Sequence, residues 1–191
     1  MKRTLAVVCL LVCVTLAQAQ NATKAAPAAS AASTAAPTKD PVAAAARLIL
    51  QRFQTNTIGA IEAMPADKFN YKPTPDQITF GHLAAHIASS NDLFCSKAAD
   101  VPAPKVDEPK ETDSKDQLVA AVKASFTFCS EALGKMDDSK LGDTIELFPG
   151  RQFPRSLAVL AIASSMSDHY AAAAMYLRLN NILPPSAQPK K

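Results

Sequence analysis

The chain has 191 residues, 48% of them hydrophobic, with no tryptophan and a formal charge of +3. That composition suits one globular domain with accessory segments. Only five glycines are present, with no Gly-rich phosphate loop, nucleophile elbow or HExxH run, which argues against nucleotide and common hydrolase sites.

At the N-terminus Lys2 and Arg3 precede the apolar run "LAVVCLLVCVTLA" and then "AQAQ". This is the pattern of a secretory signal over residues 1–19, cleaved after Ala19. Cys9 and Cys13 lie in Val-rich sequence, which disfavours a lipoprotein anchor; a retained signal anchor is the alternative. No later segment approaches the roughly 20 apolar residues of a membrane span, so a periplasmic or secreted protein with no stable membrane insertion is expected. Loss of Lys2 and Arg3 takes the basic count from 20 to 18 against 17 acidic residues, a near-neutral balance that argues against nucleic acid as a partner. The mature chain keeps Cys95 and Cys129, an even pair that an oxidising compartment would join as a disulfide between two helices. The alternative is two buried free thiols.

Residues 20–40 form an Ala/Pro/Ser/Thr tract with nothing large to pack, a flexible spacer. Asp40 and Pro41 then read as an N-cap and first helical position, followed by Val42, Ala46, Ile49, Phe53, Thr57, Ala60 and Met64 at helical spacing up to Pro65. The linker "PADKFNYKPTPDQI" can lay Phe69 and Tyr71 on the bundle. Thr79 opens a second helix, to Asp100, with Leu83, Ile87, Ser90 or Asn91, and Phe94 on one stripe. After a charged, proline-rich loop, Ser114 and Gln117 form a capping-box pattern before Leu118, Val122, Phe126, Cys129 and Leu133, a third helix ending near Met136. A β-like run, Thr144 to Leu147, and a Pro-Gly turn suggest one small hairpin. A fourth helix runs from Pro154 to about Asn181, stopped by Pro184 and Pro185. The sum is an all-α four-helix bundle over residues 41–186 with a basic tail at 187–191.

All three histidines fall on these helices. His82 and His86, four apart, share a helix face and could converge on one metal, with His169 as a third ligand from a facing helix. Asp92, Glu62 and Asn91 are candidate orienting groups, whereas Asp168 should not share the face of its neighbour His169. The competing reading is that the histidines are boundary residues bonded to carbonyls or water. Cys95 as a nucleophile beside His86 or His82 is a weaker reading than a disulfide. Arg178 suits the end of the last helix, where its charge complements the dipole, and Tyr170 and Tyr176 read as core aromatics with a hydroxyl at the rim.

The ordered combination of "MPADKFNYKPTP", "TFGHLAAHI", "DHY" and "YLRLNNILPP" resembles the DinB-like family, related to the DinB/YfiT group of metalloenzymes, from about Val42 to Ser186. The resemblance implies a four-helix bundle with up-down-down-up connections and a histidine triad holding nickel or zinc. One family ligand matches His86 and another His169, but the remaining one falls on Ser165, and Ala171 stands where a glycine often follows "DHY". His82 is the available substitute. The implied activity is metal-dependent hydrolysis or thiol transfer on a small molecule, from a degenerate or altered site. The alternative is a non-enzymatic binding or stress-related bundle with structural histidines, holding a small-molecule ligand or, through alanine-rich faces such as "AAAAMY", a second copy as a homodimer.

Overall fold

Side chains at the cap position itself start two of the four helices. The computed structural model describes residues 38–189, so the signal region, nearly all of the spacer and the last two residues of the tail lie outside it. Helix α1 spans Pro41–Ala63, α2 Phe80–Ala99, α3 Lys115–Gly134 and α4 Arg155–Leu179, and a hairpin of β1 (Thr144–Phe148) and β2 (Arg151–Pro154) precedes α4. Thr79 Oγ1 accepts the His82 N–H at 2.9 Å, and the Ser114–Gln117 capping box is complete. At α4 the loop does this work: Arg155 N–H donates to the Asp143 carbonyl at 2.8 Å and Ser156 N–H to that of Leu141 at 2.9 Å.

Helix α1 departs from its sequence reading. Asp40 occupies the cap position but adopts a left-handed backbone, φ 54°, and makes no side-chain cap. The cap comes from Asp138, whose carboxylate accepts the Val42 and Ala43 N–H groups at 2.9 and 2.8 Å, while Asp40 Oδ1 accepts the Asp138 N–H at 3.2 Å. Arg47 returns the bond, donating to the Leu133 and Met136 carbonyls at 3.0 and 3.2 Å at the end of α3. With this anchor the buried stripe begins at Ala43, Ala46 and Leu50; Val42 is exposed and Ile49 half-buried. Of the remaining predicted positions Phe53 is half-buried and Thr57, Ala60 and Met64 are buried, as are all five apolar positions read for α3.

These contacts fix the helix directions. The start of α1 meets the end of α3, and the end of α2 meets the start of α4 through Asp100 and Arg155. Lys140, just beyond α3, also reaches Asp100, at 2.9 Å. The helices therefore run up, down, down, up, with α1 and α2 each packed against both α3 and α4. Cys95 and Cys129 form a disulfide between the parallel helices α2 and α3, with Cα atoms 5.2 Å apart. Phe69 is buried edge-on against Phe80, and Tyr71 meets Tyr176, as the linker reading expects. Gly81 permits this crossing: its N–H donates to the Phe69 carbonyl at 2.8 Å, and a Cβ there would lie 2.6 Å from the Glu111 carbonyl.

The hairpin is antiparallel, closed by Pro149 and Gly150, with Gly150 at φ 70° and a register shift between Glu146 and Phe148. Among the described residues no helix is long and apolar enough to cross a membrane. Replacing both cysteines with alanine frees a loop with a sequence separation of 34 and should cost about 3–4 kcal/mol in urea denaturation. Asp138→Ala, which strips two N–H groups of their acceptor, should cost about 1–2 kcal/mol in the same measurement.

Candidate functional site

Antiparallel packing of α2 on α4 brings His86 and His169 together. Their ring centroids are 4.9 Å apart and nearly perpendicular. His169 comes from the middle of α4 and is 6% exposed, whereas His86 sits open to solvent on α2. They line a cleft of about 520 Å³ with Ser90, Ser165 and Asp168, and Leu93, Phe94 and Phe148 supply an apolar side. The hairpin forms part of this wall, with Phe148 edge-on to Phe94 at 6.3 Å. Arg151 stacks on Phe148 and Phe153 at 5.8 and 5.2 Å, which braces the hairpin.

The polar contacts within the cleft are loose. Ser165 Oγ lies 3.5 Å from Nδ1 and 3.4 Å from Nε2 of His169, and so aligns with neither lone pair. His86 Nε2 is 3.4 Å from Ser90 Oγ. Burial pushes the His169 pKa down to about 4, with the neighbouring His86 acting in the same direction and Asp168 opposing. The ring is therefore neutral at pH 7 and has nitrogen capacity that the protein hardly uses.

His82 does not join this pair. Its Nδ1 is 3.3 Å from Glu111 Oε2, which also accepts from Thr79 Oγ1 at 3.2 Å. The reason is the close passage at Gly81, which presses the Glu111 backbone onto the start of α2 and sets its carboxylate beside His82. The candidate orienting groups are elsewhere too. Asn91 donates to Ser125 between α2 and α3, Glu62 pairs with Lys123, and Asp92 lines a separate cavity. Asp168 and His169 do not share a face: Asp168 stands exposed on the rim of the cleft while its neighbour points inward. The other contributors missed in the sequence are Ser90, already read as a core-stripe alternative, and Phe148, which carries no signal until the hairpin folds over α2. Cys95 is held in the disulfide. Tyr176 donates to the Ile78 carbonyl at 2.7 Å, Tyr170 bonds Ser186 at 2.6 Å, and Arg178 reaches the Ala174 carbonyl at 3.5 Å.

An open catalytic zinc site takes three protein donors and leaves one position for water or substrate. This cleft offers two imidazoles and a serine hydroxyl, a poor ligand for nickel or zinc. Among the described residues no three His, Cys, Asp or Glu side chains gather at a point that could hold a metal. The donor set does not fit a three-ligand metal centre.

The depressed His169 pKa has a definite sign in stability. An unfolded histidine takes up its proton near pH 6.5 and the folded one near 4, so in that window the unfolded chain binds more protons. Stability should fall as pH drops from about 6.5 to about 4, by on the order of 3 kcal/mol, and His169→Gln should flatten this slope in urea denaturation.

Residues 49–172 match the family model of the DinB superfamily. Two solved structures share the fold: a DinB-like protein from Bacillus cereus, 19% identical with a TM-score of 0.58, covering 72% of this chain and 93% of that one, and a DinB-like protein from Bacillus subtilis, also 19% identical with a TM-score of 0.58, covering 75% and 99%. No curated protein matches the chain. The family match takes in all of α2 and the part of α4 that carries His169, and extends over most of the bundle, and on that ground the chain belongs to the DinB superfamily.

Proposed function

We propose that this protein is an extracytoplasmic DinB-like bundle that binds a small polar molecule in the His86–His169 cleft, at a metal centre altered by Ser165. The observation that carries this reading is the pair of imidazoles converging from α2 and α4, with the Ser165 hydroxyl 3.4 Å from His169 and, among the described residues, no third His, Cys, Asp or Glu grouped with them to hold a metal. A ligand with donor and acceptor groups would use the free ring nitrogens and the hydroxyls of Ser90 and Ser165, while Leu93, Phe94 and Phe148 would cover an apolar flank. The disulfide and the signal pattern support an oxidising compartment outside the cytoplasm.

The competing reading is a nickel- or zinc-dependent hydrolase or thiol transferase, and the donor set supports the altered site over it. Ser165 precedes His169 by one helical turn, so a histidine there would present a second imidazole on the same face of α4. Ser165→His should raise zinc and nickel affinity at least about a hundredfold over the native chain in competition with a chromophoric chelator. His86→Ala in that background should abolish the gain. Tight one-equivalent metal binding by the native chain, lost in His86→Ala and His169→Ala, would instead establish a working centre and reject the altered-site reading.

A further inference from the structure

A second cavity lies on the opposite side of α2, between α2, α3 and the loop that joins them. It has a volume of about 560 Å³, within the range of small-molecule sites. The space exists because the facing helices carry small residues there: Ala88 on α2, and Ala121 and Ala124 on α3. Phe128 forms an apolar wall, and Val106, itself 69% exposed, stands on the loop side. Nothing in the His86–His169 chemistry uses this space.

Asp92 enters the cavity one helical turn beyond Ala88, on the same stripe of α2. Its Oδ1 is buried and has no hydrogen-bond partner among the described residues. The nearby Ser125 hydroxyl is already engaged, donating to the Val122 carbonyl at 2.9 Å and accepting from Asn91 at 3.1 Å. A buried carboxylate oxygen without a partner is costly, and burial raises the Asp92 pKa above its ordinary value. The other charged groups on the lining, Asp107 and Glu131, are also acidic, and among the described residues no basic side chain lines the cavity. Such a site repels anions and gains from a cation that brings its own hydrogen-bond donors.

We propose that this cavity binds a small organic ammonium compound, its N–H groups bonded to the Asp92 carboxylate and its apolar body lying among Ala88, Ala121, Ala124 and Phe128. The ammonium pairs with the Asp92 carboxylate on the lining, and the apolar body displaces water from the alanine floor. A neutral analogue keeps the second contribution and loses the first. An anionic analogue meets three carboxylates.

The test uses phenethylammonium, phenethyl alcohol and 3-phenylpropanoate, titrated calorimetrically into the full chain at pH 7. The expected result is one-to-one binding of the ammonium, at least about tenfold tighter than the alcohol, with no binding of the carboxylate. Asp92→Asn should bring the ammonium down to the affinity of the alcohol, and Ala124→Leu, which fills the floor, should weaken both. Methyl resonances of Ala88 and Ala121 should shift on titration of the native chain, a readout that needs no variant. Equal affinity for ammonium and alcohol, a preference that survives Asp92→Asn, shifts confined to other methyls, or no saturable ammonium binding would each overturn the proposal. Because the cavity lies across α2 from the histidines, its outcome is separable from that of the His86–His169 cleft.

Discussion

The pinning of α4 onto α2 at both ends is the constraint on which the site depends. At one end the buried Arg155 donates to the Lys97 carbonyl at 2.7 Å and pairs with Asp100 at 3.2 Å, and at the other Tyr176 donates to the Ile78 carbonyl at 2.7 Å. His86 lies fourteen residues before Asp100, and His169 lies fourteen residues after Arg155. In antiparallel helices rising 1.5 Å per residue, both histidines are then about 21 Å from the same anchor and lie at the same level, where their rings meet. Asp100 is itself held from a second side by Lys140, whose hydrogen bond is the leading cause of its lowered pKa, with Arg155 next. The geometry of the imidazole pair is thus set by contacts at the ends of the helices, not by bonds within the cleft.

That arrangement explains what could be read from the sequence. Periodicity and caps are local, so Thr79, the Ser114–Gln117 box and the stripe of α3 located their helices, and Pro149–Gly150 located the hairpin turn. The cap of α1 is not local: Asp138 lies 96 residues from Val42, and no pattern around Asp40 could have revealed that its carboxylate would serve Asp138 instead. The fate of His82 was equally hidden. Its spacing from His86 suits a metal pair, but the backbone approach at Gly81 sends Glu111 to it from another segment. His86 and His169 were legible because family motifs mark them, whereas Asp168 and Phe148 enter the cleft through the rotation of α4 and the lean of the hairpin.

The two cavities divide the work of α2. His86 and Ser90 face α4, while Ala88 and Asp92 face α3. The disulfide ties α2 to α3 near the ends of both helices, and the Arg155 and Tyr176 bonds tie α2 to α4. A helix fixed on both flanks cannot rotate to bury one set of polar groups without exposing the other. The polar groups on both flanks therefore stay under-bonded in the folded protein, as the long His86–Ser90 contact and the orphaned Asp92 oxygen record.

His169 shows most directly why such groups point to function instead of packing. A histidine kept for stability would place a ring nitrogen 2.7–3.2 Å from an aligned partner, because burying a polar ring without one costs free energy. Here the Ser165 hydroxyl stands 3.5 and 3.4 Å from the two nitrogens, and burial depresses the pKa to about 4. An apolar side chain of similar volume would fill the same place in α4 without that penalty. What the imidazole alone provides is a neutral donor and acceptor at the base of a cleft of about 520 Å³, available to a molecule that enters it. Under the proposed function, Ser165 in place of a third ligand would leave a surface on which the two imidazoles bond a guest directly.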